Sequence, residues 1–255
     1  MRTIYGVNPV RELVRAGGRG LAELWLSEGR GRGLDELVEG ARALGVKVRE
    51  APRGKLDRLS GTLRHQGVVA VVSDYAYCEL AELLEAAKAS GEAPLLVVLD
   101  GIEDPQNLGA IIRSAHALGA HGVVIPKDRA AQVTPAAAKA SAGAVEHCRV
   151  ARVTNLTTAL QGLKQAGLWA VAAEADGDRE LAAVDLALPT ALVLGSEEGG
   201  VRPLVRRTCD LVARIPMKGK VGSLNASASA AIALYEVARQ RRGRNRSDPA
   251  LDNPL

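Results

Sequence analysis

The sequence predicts an α/β protein built on a mostly parallel sheet with helices on both faces, and three observations carry that prediction. Short apolar runs near 95–99, 122–125, 168–173, 190–194 and 211–214 alternate with helical stretches. Three glycine-bearing polar loops lie at strand exits or helix entries, around Gly101, around Gly195 and after Ile215, where open α/β sheets bind ligands. Residues 1–75 repeat the alternation on a smaller scale, which makes a second α/β unit.

In that first unit, Glu23–Leu26, Val46–Val48 and Val68–Val72 read as strands and Leu34–Leu44 as a helix. The stretch from Arg49 to Arg64 reads as a short helix with loops. Its Arg53, Lys55, Arg58 and Arg64 are available to phosphate, although surface solvation is the simpler account of any one of them. Residues 76–93, rich in Glu, Ala and Leu at helical spacing, read as a helical linker. The larger domain then spans 94–242, and 243–255 is a basic, flexible tail.

Leu95 to Pro126 reads as strand, loop, helix and strand. Asp104, Pro105 and Asn107 supply turn and capping chemistry, and Arg113 follows Asn107 by less than two helical turns, within reach of the strand's carboxyl end. Thr190–Val201 is a buried strand that breaks at Gly195 and continues into Glu197, Glu198, Gly199 and Gly200, which taken alone is an acidic surface turn. In Ile215–Gln240, Gly219 and Gly222 permit left-handed backbone angles, and Ser223 stands where an N-cap belongs. The helix that follows is made of small residues from Ala226 to Ala231.

Composition bounds the function classes. The chain has 255 residues and a formal charge of +4, a modest excess that permits an RNA partner. Its concentrated basic run is Arg239, Arg241, Arg242, Arg244 and Arg246. Cys78, Cys148 and Cys209 are odd in number and widely spaced, which points to a reducing compartment. His116, His121 and His147 lack metal-ligand spacing and read as structural, while His65 reads as an RNA contact or the mark of a strand start, so no metal is expected. No apolar run approaches a membrane span and no secretory signal opens the chain, so the expected setting is cytoplasmic, without a membrane partner. Neither the dinucleotide-binding glycine fingerprint after a strand nor the P-loop consensus occurs.

Asn107-Leu-Gly-Ala-Ile-Ile-Arg113, Leu194-Gly195-Ser196-Glu197, and Ile215-Pro216-Met217 through Ser223-Leu224-Asn225 to Tyr235-Glu236 resemble, in order, the three motifs of the SpoU (TrmH-type) branch of the SPOUT RNA 2'-O-ribose methyltransferases. Ile4–Val10 and Arg64–Ala70 extend the resemblance to the substrate-binding domain of bacterial large-subunit ribosomal RNA guanosine 2'-O-methyltransferases. The resemblance implies an N-terminal L30e-like RNA-binding domain and a C-terminal SPOUT domain with a deep trefoil knot holding S-adenosylmethionine. It also implies a homodimer through the knotted domains, with 23S ribosomal RNA as partner and no DNA. Arg113 would take the central catalytic role, accompanied by Asn107, Glu197, Ser223 and Asn225, with Glu197 and Asn225 orienting Arg113 or the ribose. Gly195, Ile215 and Leu224 would bind the cofactor through backbone groups, joined by Leu194, Met217 and Gly199.

A guanidinium is always protonated under ordinary conditions, so placing phosphate and stabilising negative charge is the easier role for Arg113 than acting as a base. Three alternatives stay open: the same reaction at another ribosomal site or on transfer RNA, a resistance-conferring relative, and a non-catalytic RNA-binding assembly factor on the same scaffold.

Overall fold

The computed structural model describes residues 1–29, 32–219 and 222–246. The N-terminal unit comprises β1 (Arg2–Tyr5), α1 (Val7–Arg15), β2 (Leu21–Ser27), α2 (Asp35–Ala43), β3 (Lys47–Ala51), α3 (Arg53–Ser60) and β4 (Val68–Val72). Its sheet has the order β1-β4-β2-β3, with β4 antiparallel to both neighbours and β2 parallel to β3. Alternation along the strands makes two cores. Leu24, Leu26, Val68 and Ala70 pack with residues of α1 and α2, while Trp25 and Val69 face Leu56 of α3.

The C-terminal unit comprises α4 (Leu80–Lys88), β5 (Leu95–Asp100), α5 (Pro105–Ala117), β6 (Gly122–Pro126), α6 (Pro135–Ala140), β7 (Arg149–Val153), α7 (Leu156–Gln165) and β8 (Trp169–Ala173). It continues with β9 (Arg179–Glu180), β10 (Thr190–Gly195), α8 (Pro203–Thr208), β11 (Leu211–Arg214) and α9 (Ala226–Arg246). Every pairing in its sheet is parallel, in the order β7-β6-β5-β10-β8-β11-β9. Leu95, Val97 and Leu99 point into the core shared with α5 and α9, and Leu96 and Val98 into the core shared with α4 and α7. A strand covered on both faces has no polar side to show, which is why these runs read as continuously apolar.

The stretch expected to be a linker holds α4, whose Leu83 and Ala87 are fully buried against that second core. It is helical, as its spacing predicts, yet it packs as a layer of the C-terminal unit. At the other end, α9 runs to Arg246, past the expected start of the tail at 243, and residues 247–255 lie outside the described residues.

Asp104 caps α5 by accepting from Gln106 N–H at 2.9 Å, and Pro105 occupies the first helical turn. Gly109 lets α5 lie directly on α6, since a Cβ there would come within 2.4 Å of the Ala137 carbonyl oxygen. The other side of α6 meets the N-terminal unit. Lys139 donates to the Arg64 carbonyl and lies 4.8 Å from the centroid of the Tyr5 ring. Close by, His147 contacts Glu12 at 3.1 Å, and Arg2 faces Glu146 at 3.7 Å.

Cys78, Cys148 and Cys209 are free thiols, and burial pushes those of Cys148 and Cys209 up to about 12. Among the described residues no helix is long and apolar enough to cross a membrane, and no His, Cys, Asp and Glu group is arranged to hold a metal ion.

Candidate active site

The strand order reverses its direction of growth around β5 and β10, and the loops leaving the carboxyl ends of β5, β8, β10 and β11 gather there. The loop after β10 folds back on itself. Ser196 and Gly200 exchange backbone hydrogen bonds at 3.1 and 3.0 Å, and Gly199 N–H donates to Ser196 Oγ at 3.1 Å. Only glycine fits at its two ends: a Cβ on Gly195 would lie 2.0 Å from the Gly200 carbonyl carbon, and Gly200 itself has φ +60°.

Glu197, on this loop, is the centre of a polar cluster. Its Oε1 accepts from Asn107 Nδ2 at 3.0 Å, from Ala226 N–H at 3.1 Å, and from Asn225 Nδ2. Asn225 also donates to Asn107 Oδ1 at 3.0 Å. Its own Oδ1 accepts the amides of Ser227 and Ala228, at 2.9 and 3.3 Å. Asn225 is therefore the N-cap of α9, a place that the sequence reading gave to Ser223. The helix begins two residues later than expected, and an amide offers the same capping oxygen while leaving its Nδ2 for Glu197.

Beside this cluster is a cleft of about 360 Å³, within the range of small-molecule sites. Leu194, Gly195, Glu197, Gly199, Ile215, Met217, Ser223 and Leu224 line it, so most of the residues singled out from sequence meet in one place. Asn107 and Asn225 adjoin it through Glu197, whereas Glu198 is exposed and does not line it. Arg113 does not line it either. It sits about 9 Å further along α5 than Asn107 and on another face, exposed, with no hydrogen-bond or ion-pair partner among the described residues. Among the described residues Glu197 and Asn225 bond to each other and to Asn107 and make no hydrogen bond to Arg113, so of their two expected partners, Arg113 or the ribose, the first is not contacted within the chain. Gly222 also departs from expectation, since its φ lies outside the left-handed region and nothing within 4 Å would meet a Cβ there. Lys220 and Val221, inside the third motif, lie outside the described residues.

One wall of the cleft was not anticipated. Ala173, Glu174, Ala175 and Asp176 at the end of β8, with Arg206 of α8, complete it. Arg206 Nη1 donates to Glu174 Oε2 at 2.8 Å and to both Asp176 oxygens at 2.9 Å, which holds the Asp176 carboxyl below its usual range. In the sequence Glu-Ala-Asp-Gly-Asp reads as an acidic turn, and its only pointer to a site is its position at a strand exit.

The SpoU rRNA Methylase family profile matches residues 94–235, and the RNA 2'-O ribose methyltransferase substrate-binding profile matches residues 3–78. The chain belongs to the SpoU family. A Bacillus subtilis member, assigned to the TrmH family of tRNA/rRNA methyltransferases, is 45% identical over 93% of this chain and 95% of its own length. Among solved SpoU structures, the methyltransferase AviRb from Streptomyces viridochromogenes, in complex with the cofactor AdoMet, superposes with a TM-score of 0.79. It is 29% identical, covering 94% of this chain and 90% of that one. An AdoMet-bound rRNA methyltransferase from Sinorhizobium meliloti has a TM-score of 0.78 at 25% identity, covering 93% and 87%. The α/β architecture predicted from sequence, with an N-terminal substrate-binding domain and a C-terminal parallel sheet of the SPOUT methyltransferase kind, is the one observed.

Proposed function

We propose that this SpoU protein transfers a methyl group from S-adenosylmethionine to the 2'-hydroxyl of a guanosine in 23S ribosomal RNA. The observation that carries the reading is the cleft itself, in which residues of the second and third motifs meet beside the Asn107–Glu197–Asn225 cluster. The lining fits the cofactor. Leu194, Ile215, Met217 and Leu224 give apolar walls for a flat base, and the glycine loop presents main-chain groups without side-chain bulk. When bound, the sulfonium supplies an electrophilic methyl group.

The chain's own residues have the remaining tasks. Alignment of a weakly nucleophilic hydroxyl dominates such a reaction, and the interlocked amides of Asn107 and Asn225 with Glu197 give a fixed polar edge against which a ribose can be placed. Arg113, exposed and without an ion-pair partner among the described residues, is suited to holding the target phosphate and stabilising negative charge, while a group other than the guanidinium accepts the proton. In this reading residues 1–75 select the RNA, 94–242 carry out transfer, and 76–93 join them. The C-terminal backbone threads through a loop to make the trefoil knot, and the setting is cytoplasmic. Exposed Ile232 and Tyr235 on α9, with Met217 and Leu224 near its start, favour pairing of two copies through the C-terminal domain. An active monomer by light scattering at assay concentration would exclude that pairing.

The test is methyl transfer from labelled S-adenosylmethionine to unmodified ribosomal RNA, with wild type and Arg113→Ala in parallel and 2'-O-methylation mapped. The expected result is one ribose site on the large-subunit RNA, lost in the variant while cofactor affinity stays. Transfer to tRNA alone would reassign the substrate, and cofactor binding without transfer to any RNA would favour an assembly factor.

A further inference from the structure

The glycine loop is held at its exit by two carboxylates from different strands. Val201 N–H donates to Glu174 Oε1, and the next amide, Arg202 N–H, donates to Asp100 Oδ2 at 2.8 Å. Each acid has its own arginine: Arg206 Nη1 meets Glu174 Oε2 at 2.8 Å, and Arg202 Nε meets Asp100 Oδ1 at 2.7 Å. Glu174 follows β8 and Asp100 ends β5, the two neighbours of β10, which carries the loop. The loop is therefore clasped to both flanking strands at once.

The two halves of the clasp differ in one respect. Asp100 is fully buried outside the cleft, whereas Glu174 and Arg206 line it. The Glu174 side chain is only 9% exposed, and its Oε1 lies where a Cβ on left-handed Gly200 would sit, at 2.4 Å. Charged acceptors bind amides more strongly than neutral ones, so the carboxylate fixes a backbone turn that glycine would otherwise leave free. We infer that Glu174 and Arg206 are positioning residues for the cofactor, setting the shape of the 195–201 wall from inside the cleft. The inference rests on the S-adenosylmethionine reading above.

The test uses the full chain as wild type, Glu174→Gln, Glu174→Ala and Arg206→Met. Lys164→Met serves as a control, since it cuts an ion pair with Asp210 at 2.7 Å away from the cleft. Affinity for S-adenosylmethionine is read by calorimetry, alongside melting temperature and amide exchange over residues 195–202. Loss of a hydrogen bond to a charged group corresponds to roughly 10- to 100-fold, so Glu174→Ala should weaken cofactor binding by about that factor and speed exchange at Val201. Glu174→Gln, which keeps an acceptor oxygen, should recover part of the affinity. Lys164→Met should lower the melting temperature without changing either loop readout. Wild-type affinity and exchange in Glu174→Ala would overturn the inference, as would losses no greater than those of the control. Absence of cofactor binding by the wild type would instead defeat the functional reading, and Val201 exchange would then decide the clasp alone: faster in Glu174→Ala supports it, unchanged overturns it.

Discussion

Asn225 donates to Asn107 Oδ1 at 3.0 Å, and both side chains direct an amide hydrogen at the same oxygen of Glu197. Residues sharing one network do not contribute independently. A double-mutant cycle on Asn107→Ala and Asn225→Ala, read by denaturant unfolding, should give a coupling of about 0.5–1 kcal/mol, towards the low end because the cluster is largely exposed. Asn225→Ala alone should cost about 1 kcal/mol as a lost helix cap. Strictly additive losses would show that the contact does not persist in solution.

Gly195→Ala tests the loop from its other end. The added Cβ would meet the loop's own backbone at Gly200 and Val201, not the open cleft, so the loop has to spread to admit it. Overpacking of this kind costs about 1–3 kcal/mol, and cofactor affinity should fall with it. A folded variant with wild-type affinity by calorimetry would remove Gly195 from the cofactor wall.

His121 supplies a pH dependence remote from the cleft. Its Nδ1 accepts Leu95 N–H at 3.0 Å and its Nε2 meets Ser90 Oγ at 2.8 Å, so the neutral ring protonated at Nε2 suits the network. Burial pushes its pKa below 6.5. A histidine with a lowered folded value stabilises fully above 6.5 and loses that contribution as pH falls through the folded value. The melting temperature should therefore drop between pH 7 and pH 5, and His121→Asn should flatten that part of the profile. An unchanged slope in the variant would assign the dependence to another group.

The central strands were legible because β5 and β10 are buried on both faces, and their polar residues, Asp100 and Thr190, sit at strand ends and leave the apolar run unbroken. β7 was not, because exposed Arg149 and Arg152 bracket only two buried residues, Val150 and Ala151, and break the apolar signal. Strand order lay beyond reach for another reason: nothing local in Thr190–Gly195 says that it inserts between β5 and β8. Within the site, glycine loops and amide side chains marked two walls, since those residue types are needed there for their backbone or their donors. The wall at Glu174 went unseen because a buried carboxylate and a solvated one are spelled alike, and only the fold brings Arg206 and Val201 to it.

The seat of the N-terminal unit on α6 has a consequence for how such proteins diversify. Lys139 grips that unit through Arg64 and Tyr5, while the same helix lies backbone against backbone on Gly109, two residues after Asn107. The first domain is thus a spacer of set length, not a tethered arm, and its reach to the chemistry is set by α6 together with the Glu146 and His147 contacts that follow it. Grafting a new recognition domain onto this scaffold would preserve that reach only if the partners of α6, Glu146 and His147 were inherited along with it.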